Sequence, residues 1–399
     1  MSQIKPQDPV SIDQDVLSTI YSRAQLVMER IRDGAVDPES GERQGPTFPI
    51  SRAATLVGRS ASAIREAERD GRLPARERTL SGRRVQYSLK ELDEMRALFE
   101  TRPWRDPETD TPAIISISNF KGGVGKSTTA IHLAQYLAIR GYRVLLVDCD
   151  SQASSTMMFG YVPDRDLTDE DTLYGYIREP TLDGVRRLIR KTHFHGLDLI
   201  PANLRLYNLE YEIAATIMGE GSFAVIDVLA EALSTVVDDY DVVVMDPPPA
   251  LGMVSLAVLN AANAMVIPVP PSIMDFSSTT SFIDMVQTTL RDLERSTKRR
   301  PVFNFIKLVG SKVDDQKSMH REILTMCRQV FGSLFLESII RTSAEIDNAS
   351  SRMKSVYELE KPVTSHETHN RCVSHLEAVN YDIEREIIRM WPSRARAVL

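Results

Sequence analysis

The stretch Ser116–Ala130 reads SISNFKGGVGKSTTA. An apolar run, AIISIS, leads into it from Ala113, and a helical pattern, TTAIHLAQYLAIRG, leads out. A strand, a glycine-rich loop and a helix in that order make a phosphate-binding loop. The glycines let backbone N–H groups turn inward around phosphate oxygens, and the helix adds the positive end of its dipole. Gly122, Gly123, Val124, Gly125, Lys126, Ser127 and Thr128 are therefore the expected nucleotide-binding residues. Lys126 would reach the β- and γ-phosphates, and Ser127 would place its hydroxyl on Mg²⁺. Lys121 stands where the ordinary pattern has Gly or Ala. Its stem starts at the mouth of the loop, from where its ammonium can hardly curl back to its own phosphates.

Further apolar runs follow: RVLLVDCD, LDLIPA, DVVVMD, AMVIPVP and VFNFIKLV, separated by longer helical stretches. Short continuous apolar runs are how strands buried on both faces of a parallel sheet read. The expected architecture from residue 112 to 399 is a doubly wound α/β domain with a mainly parallel sheet, its ligands beyond the carboxyl ends of the strands. Acids stand at those ends: Asp148 and Asp150 in DCDSQ, and Asp246 in MDPPPALG. One carboxylate of the first pair can orient an attacking water and the other can contact the metal shell. Asp246 joins Ser127 as an expected metal-side residue. Cys149 reads as a small packed residue, with no partner base in view, and Pro247–Pro249 would stiffen the segment after Asp246.

Upstream of this domain, Leu17, Tyr21, Ala24, Met28 and Ile31 lie on one helical stripe, widened by Ile20 and Val27. The helix begins at Ser11, an N-cap candidate, and ends near Gly34. Its stripe must pack on a neighbouring domain or on a second subunit, because a lone helix of this length is marginal in water. Residues 1–46 are thus a helix and linker with a possible dimerisation role. In residues 47–100, Ser51–Val57 forms a short helix, Gly58 turns the chain, and Ser60 caps a second helix to about Asp70. That is helix-turn-helix spacing. A wing follows around Ser81-Gly82, and then another helix. Between Arg59 and Lys90 nine basic residues face four acidic ones, an excess that suits phosphate contacts. Ser60, Ser62, Ala63 and Arg65 would approach base edges, with Arg83 and Arg84 on the wing. The proline-rich stretch 101–111 reads as a linker.

The chain of 399 residues, with 42% hydrophobic and 26% charged residues, can bury a large core and fill more than one domain. A net charge of −7 argues against a wholly basic nucleic-acid coat while allowing a local basic face. The three cysteines are far apart and form no CxxC pair, which fits a reducing, cytoplasmic setting. MSQIKPQDPVS lacks the basic-then-apolar pattern of a secretion signal, and no apolar run approaches the ~20 residues of a membrane span.

KGGVGKST resembles the deviant Walker A motif of the ParA/MinD family. The resemblance covers Thr111 to about Leu359. Residues Ile339–Leu359 (IIRTSAEIDNASSRMKSVYEL) and the order helix, helix-turn-helix, ATPase resemble the large plasmid-partition subgroup, which includes the RepA proteins of repABC-type plasmids. The resemblance implies an ATP- and Mg²⁺-dependent ATPase in which Lys121 crosses a homodimer interface to the partner's nucleotide. It assigns water positioning to Asp150, which leaves Asp148 as a metal-side residue, and catalysis to Lys121, Lys126 and Asp150. The family usually has DxDPQ, so Ser151 departs from it at the proline. It further implies nucleoid association through non-specific DNA binding, hydrolysis stimulated by a ParB/RepB-type centromere-binding partner, and autorepression at operator DNA. Arg341, Arg352 and Lys354 are candidates for the non-specific DNA surface, with Lys312 and Lys317 behind them. Two other readings compete. One is a nucleotide-responsive repressor without a transport role. The other is a MinD-like membrane-cycling ATPase, which would use Ile383, Ile387, Ile388 and Trp391 of the tail as an amphipathic face. A reductase like the nitrogenase iron protein would need cluster-bridging cysteines, which the scattered ones do not supply.

Overall fold

The computed structural model describes residues 14–36, 43–78, 84–181, 183–209, 212, 224–250, 252–297, 302–359 and 361–395. Ser11, Ser81, Gly82 and Arg83 lie outside the described residues. The amino-terminal part contains α1 (Gln14–Asp33), β1 (Thr47–Phe48), α2 (Ile50–Val57), α3 (Ala61–Arg69), β2 (Tyr87–Ser88) and α4 (Leu89–Phe99). The sheet domain opens with β3 (Ala113–Ile117), α5 (Lys126–Arg140), β4 (Val144–Asp148) and α6 (Ser154–Met158). Then come β5 (Arg190–Lys191), β6 (Leu197–Ile200), α7 (Ala224–Ser234), β7 (Val242–Asp246), α8 (Met253–Ala261) and β8 (Ala264–Val269). It closes with α9 (Ile273–Thr297), β9 (Phe305–Gly310), α10 (Ser318–Phe331), α11 (Ala344–Ser350) and α12 (His366–Arg389).

The main sheet runs β5-β6-β4-β7-β3-β8-β9, parallel except for the edge strand β5. Each of the six apolar runs became a strand; β5, two charged residues at the edge, had no apolar run to announce it. Every position of β4, β7 and β8 is buried. Alternation along the strands divides their side chains between two layers. Val144, Leu146, Val242 and Val244 share a core with α5 and α12, while Leu145, Val147, Val243 and Met245 pack with α7 and α8. Met265, Ile267 and Leu308 join a third cluster with α9 and α10.

The helices α2 to α4 form where the Gly58 turn and the Ser60 and Ser88 caps predict. Gly58 closes α2 with φ 70°, which a residue bearing a Cβ adopts only under strain. The Ser60 hydroxyl accepts the Ala63 N–H at 3.2 Å, and Ser88 and Glu91 form a capping box on α4. The apolar side of this module (Ala53, Leu56, Ile64, Leu92, Met95) is continuous with the core around α5 and α12. Arg96 makes the join. It is buried and donates to the carbonyls of Leu56 at 3.3 Å and Ile139 at 2.6 Å, one on each side. Residues 101–111 are consequently no free linker. The Trp104 ring lies between the Arg102 and Arg143 guanidinium groups, 4.4 and 4.6 Å from its centroid. Arg105 is buried against Tyr240, Asp238 and Asp110.

The tail also departs from one expectation. Ile383, Ile387 and Trp391 are fully buried in the core, and the Trp391 indole donates to the Thr111 carbonyl at 2.9 Å. An apolar face spent on the protein's own core is not offered to a lipid surface, so the membrane-cycling reading loses its helix. Among the described residues no helix is long and apolar enough to cross a membrane.

Candidate active site

The loop between β3 and α5 takes the conformation its glycines allow: Gly123 and Gly125 have φ of 73° and 97°. Asn119 secures the approach, accepting the Lys121 N–H at 3.1 Å and donating to the Pro268 carbonyl at 2.9 Å. From the far side, buried Ser311 donates to the Val124 carbonyl at 2.8 Å. A cavity of about 620 Å³ opens over the loop, lined by Gly123, Gly125, Lys126, Ser127 and Thr128 together with Asp150 and Gln152. Lys126 is buried, and its ammonium lies 3.5 Å from the Lys121 carbonyl. Burial holds the amine below its ordinary pKa, opposed by the charges of Asp246 and Asp150.

Strand order brings the acids together. Asp148 and Asp246 are register partners on β4 and β7. Burial pushes the Asp246 carboxyl up to about 6, against the Ser155 hydrogen bond and the Lys126 charge, which favour its ionised form. The Ser155 hydroxyl donates to Asp246 Oδ2 at 2.8 Å; Oδ1 is buried with no hydrogen-bond partner. A buried carboxylate oxygen left open beside the Ser127 hydroxyl, next to a glycine-rich loop, fits Mg²⁺ bound with a nucleotide. Asp148, expected on the metal side, is engaged by its own loop. It is fully buried, and its oxygens accept from Thr156 N–H (2.8 Å), Thr156 Oγ1 (2.7 Å) and the Asp150 N–H (3.1 Å). Burial and the neighbouring Asp246 raise its pKa well above the carboxylate range. Asp148 thus orders the loop that presents Asp150, whose carboxylate accepts the Gln152 N–H at 2.9 Å and lines the cavity. Cys149 is buried and inert, its thiol pushed up by burial.

Lys121 lies apart from this constellation. Its side chain is 41% exposed and does not line the cavity; its ammonium is 2.5 Å from Asp275 Oδ1 at the start of α9. Ser272 pins Asp275, donating to Oδ2 at 2.5 Å and accepting the Asp275 N–H at 3.1 Å. Sequence reading missed Asp275, Ser155 and Ser311, since only the tertiary structure brings them to Lys121, Asp246 and Val124. Lys312, weighed as a DNA contact, lines the nucleotide cavity instead, with φ 53°.

The other candidates lie elsewhere. Ser60, Ser62 and Arg65 are exposed at the start of α3, and Ala63 is half-buried. Arg84 does not stand free on a wing, because it pairs with Glu68 and donates to the Tyr87 hydroxyl at 2.7 Å, tying the segment to α3. Arg341 pairs with Asp315 at 2.5 Å, Arg352 is exposed and Lys354 is half-buried.

A doubly wound sheet with a phosphate loop and two strand-end acids over one cavity defines a P-loop nucleotide hydrolase. The comparisons narrow this. A family model described as "AAA domain" matches residues 112–298. The chain is 31% identical over 368 residues to a "Putative replication protein A" of Rhizobium rhizogenes, covering 89% of this chain and 90% of the relative. It is 35% identical over 316 residues to "Protein SopA" of Escherichia coli K12, covering 77% and 80% of the two chains. A solved structure titled "Partition Protein" shares the fold, with a TM-score of 0.62 at 23% identity over 87% of this chain and 97% of that one. The chain belongs to the ParA family of plasmid-partition ATPases.

Proposed function

We propose that this partition ATPase works as a nucleotide-gated DNA carrier for a low-copy replicon. The single observation that most supports the reading is the exposed Lys121, whose ammonium sits outside its own nucleotide cavity, paired with Asp275 at its mouth. Gly122–Thr128 hold the triphosphate, with Lys126 as the buried counter-charge. Ser127 and Asp246 would hold Mg²⁺, which would supply positive charge to the phosphates. Asp150 orients the attacking water. Lys121 leaves Asp275, crosses to the partner and offsets charge as the γ-phosphate departs.

In this reading the ATP dimer binds DNA without sequence preference, through surfaces that include Arg352 and Lys354. A centromere-bound ParB/RepB-type partner stimulates hydrolysis and release. The exposed face of α3, with Ser60, Ser62 and Arg65, supports a second activity, repression at operator DNA. The test is a salt titration of binding to a random duplex with ATP·Mg²⁺, with ADP·Mg²⁺ and without nucleotide. Binding only with ATP, with a steep slope of log affinity on log salt, supports the carrier. Binding indifferent to nucleotide, or confined to one operator, refutes it and leaves a repressor with an ATPase attached.

A further inference from the structure

The nucleotide cavity extends well past the phosphate loop. It follows α5 from Thr128 to Ile131 and His132 and is also lined by Ser350, at the end of α11, and by Ser351 and Met353 just after it. Two further lining residues come from far away in sequence, Met28 and Ile31 of α1. They lie three apart, on one side of the last turns of that helix. The adjacent side of the same turns is tied down by ion pairs, Glu29 to Arg165 and Arg32 to Asp166 at 3.5 Å. Ala35, just past the helix, is buried. The first turns of α1 differ: Val16, Leu17, Ile20 and Tyr21 are 48–58% exposed. The apolar residues of α1 are therefore divided: Met28 and Ile31 are applied to the nucleotide cavity, while Val16, Leu17, Ile20, Tyr21, Leu26 and Val27 face outward. Met353, opposite, is itself anchored, since Arg43 donates to its carbonyl and pairs with buried Glu358 at 2.5 Å.

We propose that α1 is a component of the nucleotide site, with Met28 and Ile31 forming one wall of the base subsite and Met353 another. This deepens the proposed ATP-binding reading and rests on it. Lys126 and the loop N–H groups take the phosphates, so the part of the cavity beyond Ile131 receives the purine. Thioether and branched aliphatic side chains suit a planar ring, which they cover without competing for its hydrogen-bonding edge. A bound purine also fixes the last turns of α1 and so orients its exposed first turns, linking nucleotide occupancy to an apolar surface far from the phosphates.

The test uses the full chain and two ligands. ATP·Mg²⁺ and tripolyphosphate·Mg²⁺ are titrated calorimetrically into the unaltered protein, the double variant Met28→Ser with Ile31→Ser, and Arg165→Ala, which removes one of the two ion pairs holding α1 without touching the cavity. The double variant should bind ATP about tenfold more weakly, the order expected when apolar cover is removed from a ring. Arg165→Ala should weaken it in the same direction, and both should bind tripolyphosphate as the unaltered chain does. Unchanged ATP affinity in the double variant overturns the proposal. An equal loss for ATP and tripolyphosphate also overturns it, because the effect is then on the whole site. A failure of the unaltered chain to bind either ligand refutes the nucleotide reading itself, a result distinct from the other two.

Discussion

Replacing Asp275 by asparagine should favour the ATP-bound dimer. In the single chain the Lys121 ammonium is held 2.5 Å from the Asp275 carboxylate, and this pair must open before the lysine can reach a partner. Lys121 is 41% exposed and Asp275 14% exposed, so solvent screens the pair and its worth is about 0.2–1 kcal/mol. A symmetric dimer opens two such pairs, at a cost of about 0.4–2 kcal/mol, or about two- to thirty-fold in the dimer dissociation constant. Asparagine keeps an oxygen for the Ser272 hydroxyl that caps α9, so the helix start survives while the charge is lost. Sedimentation with ATPγS·Mg²⁺ across a concentration series measures the constant directly. The expected result is tighter dimerisation for Asp275→Asn and no further effect when it is combined with Lys121→Ala. An unchanged or weaker dimer constant, with unaltered melting temperature, would refute the idea that Asp275 restrains the lysine.

Other outcomes follow from the same contacts. Lys126→Ala should abolish nucleotide binding, whereas Lys121→Ala should keep it and lose partner-stimulated hydrolysis; turnover assays on both variants separate the two lysines. Asp246 has its pKa raised to about 6 from an ordinary 3.8, so the fold prefers its protonated form and loses stability as pH rises from about 4 through 6. Asp246→Asn should therefore stabilise the ligand-free protein at pH 7 but not at pH 4, and should lose Mg²⁺-dependent ATP affinity; melting curves and calorimetry read the two effects. Glu358 behaves in the opposite sense. The Glu358 carboxyl is buried, an effect that opposes its ionisation, yet His193, Arg43 and the Ser355 N–H hold it down at about 2, below its ordinary 4.5. That stabilisation is present above about 4.5 and is lost as pH falls toward 2, so Glu358→Gln should flatten the acid limb of an unfolding curve by about 3 kcal/mol. Trp391→Ala should cost about 3–5 kcal/mol of stability, measured by denaturant unfolding, because the buried indole is the plug of the tail. Flotation with vesicles should be negative with and without ATP.

Much of the site was legible because it is local. Gly122–Thr128 are consecutive, and the loop geometry, the helix start and the buried lysine need only one strand and one helix around them. The acids were legible in identity but not in role. Asp148 and Asp150 are two residues apart and look interchangeable; the structure gives Asp148 to Thr156 and to the loop backbone and leaves Asp150 at the cavity. Hydrogen bonds to a residue eight positions on, closed by a turn whose course no periodicity announces, made that distinction.

The sequence by itself determined the elements. Apolar runs on both faces require a covered parallel sheet, the caps Ser60 and Ser88 start their helices, and the glycine-rich turn between strand and helix requires a phosphate site. These depend on steric and hydrogen-bonding preferences within a few residues. Tertiary structure alone decided which distant groups meet. Strand order put Asp148 beside Asp246, packing carried α1 to the nucleotide cavity, and Asp275 received a lysine more than a hundred positions away. The tail shows the difference most directly. Its pattern of Ile383, Ile387 and Trp391 specifies an apolar face and is indifferent to whether lipid or protein covers it, because hydrophobic burial has no direction. The choice fell to the protein's core only when α5, the sheet and Thr111 came together to receive it.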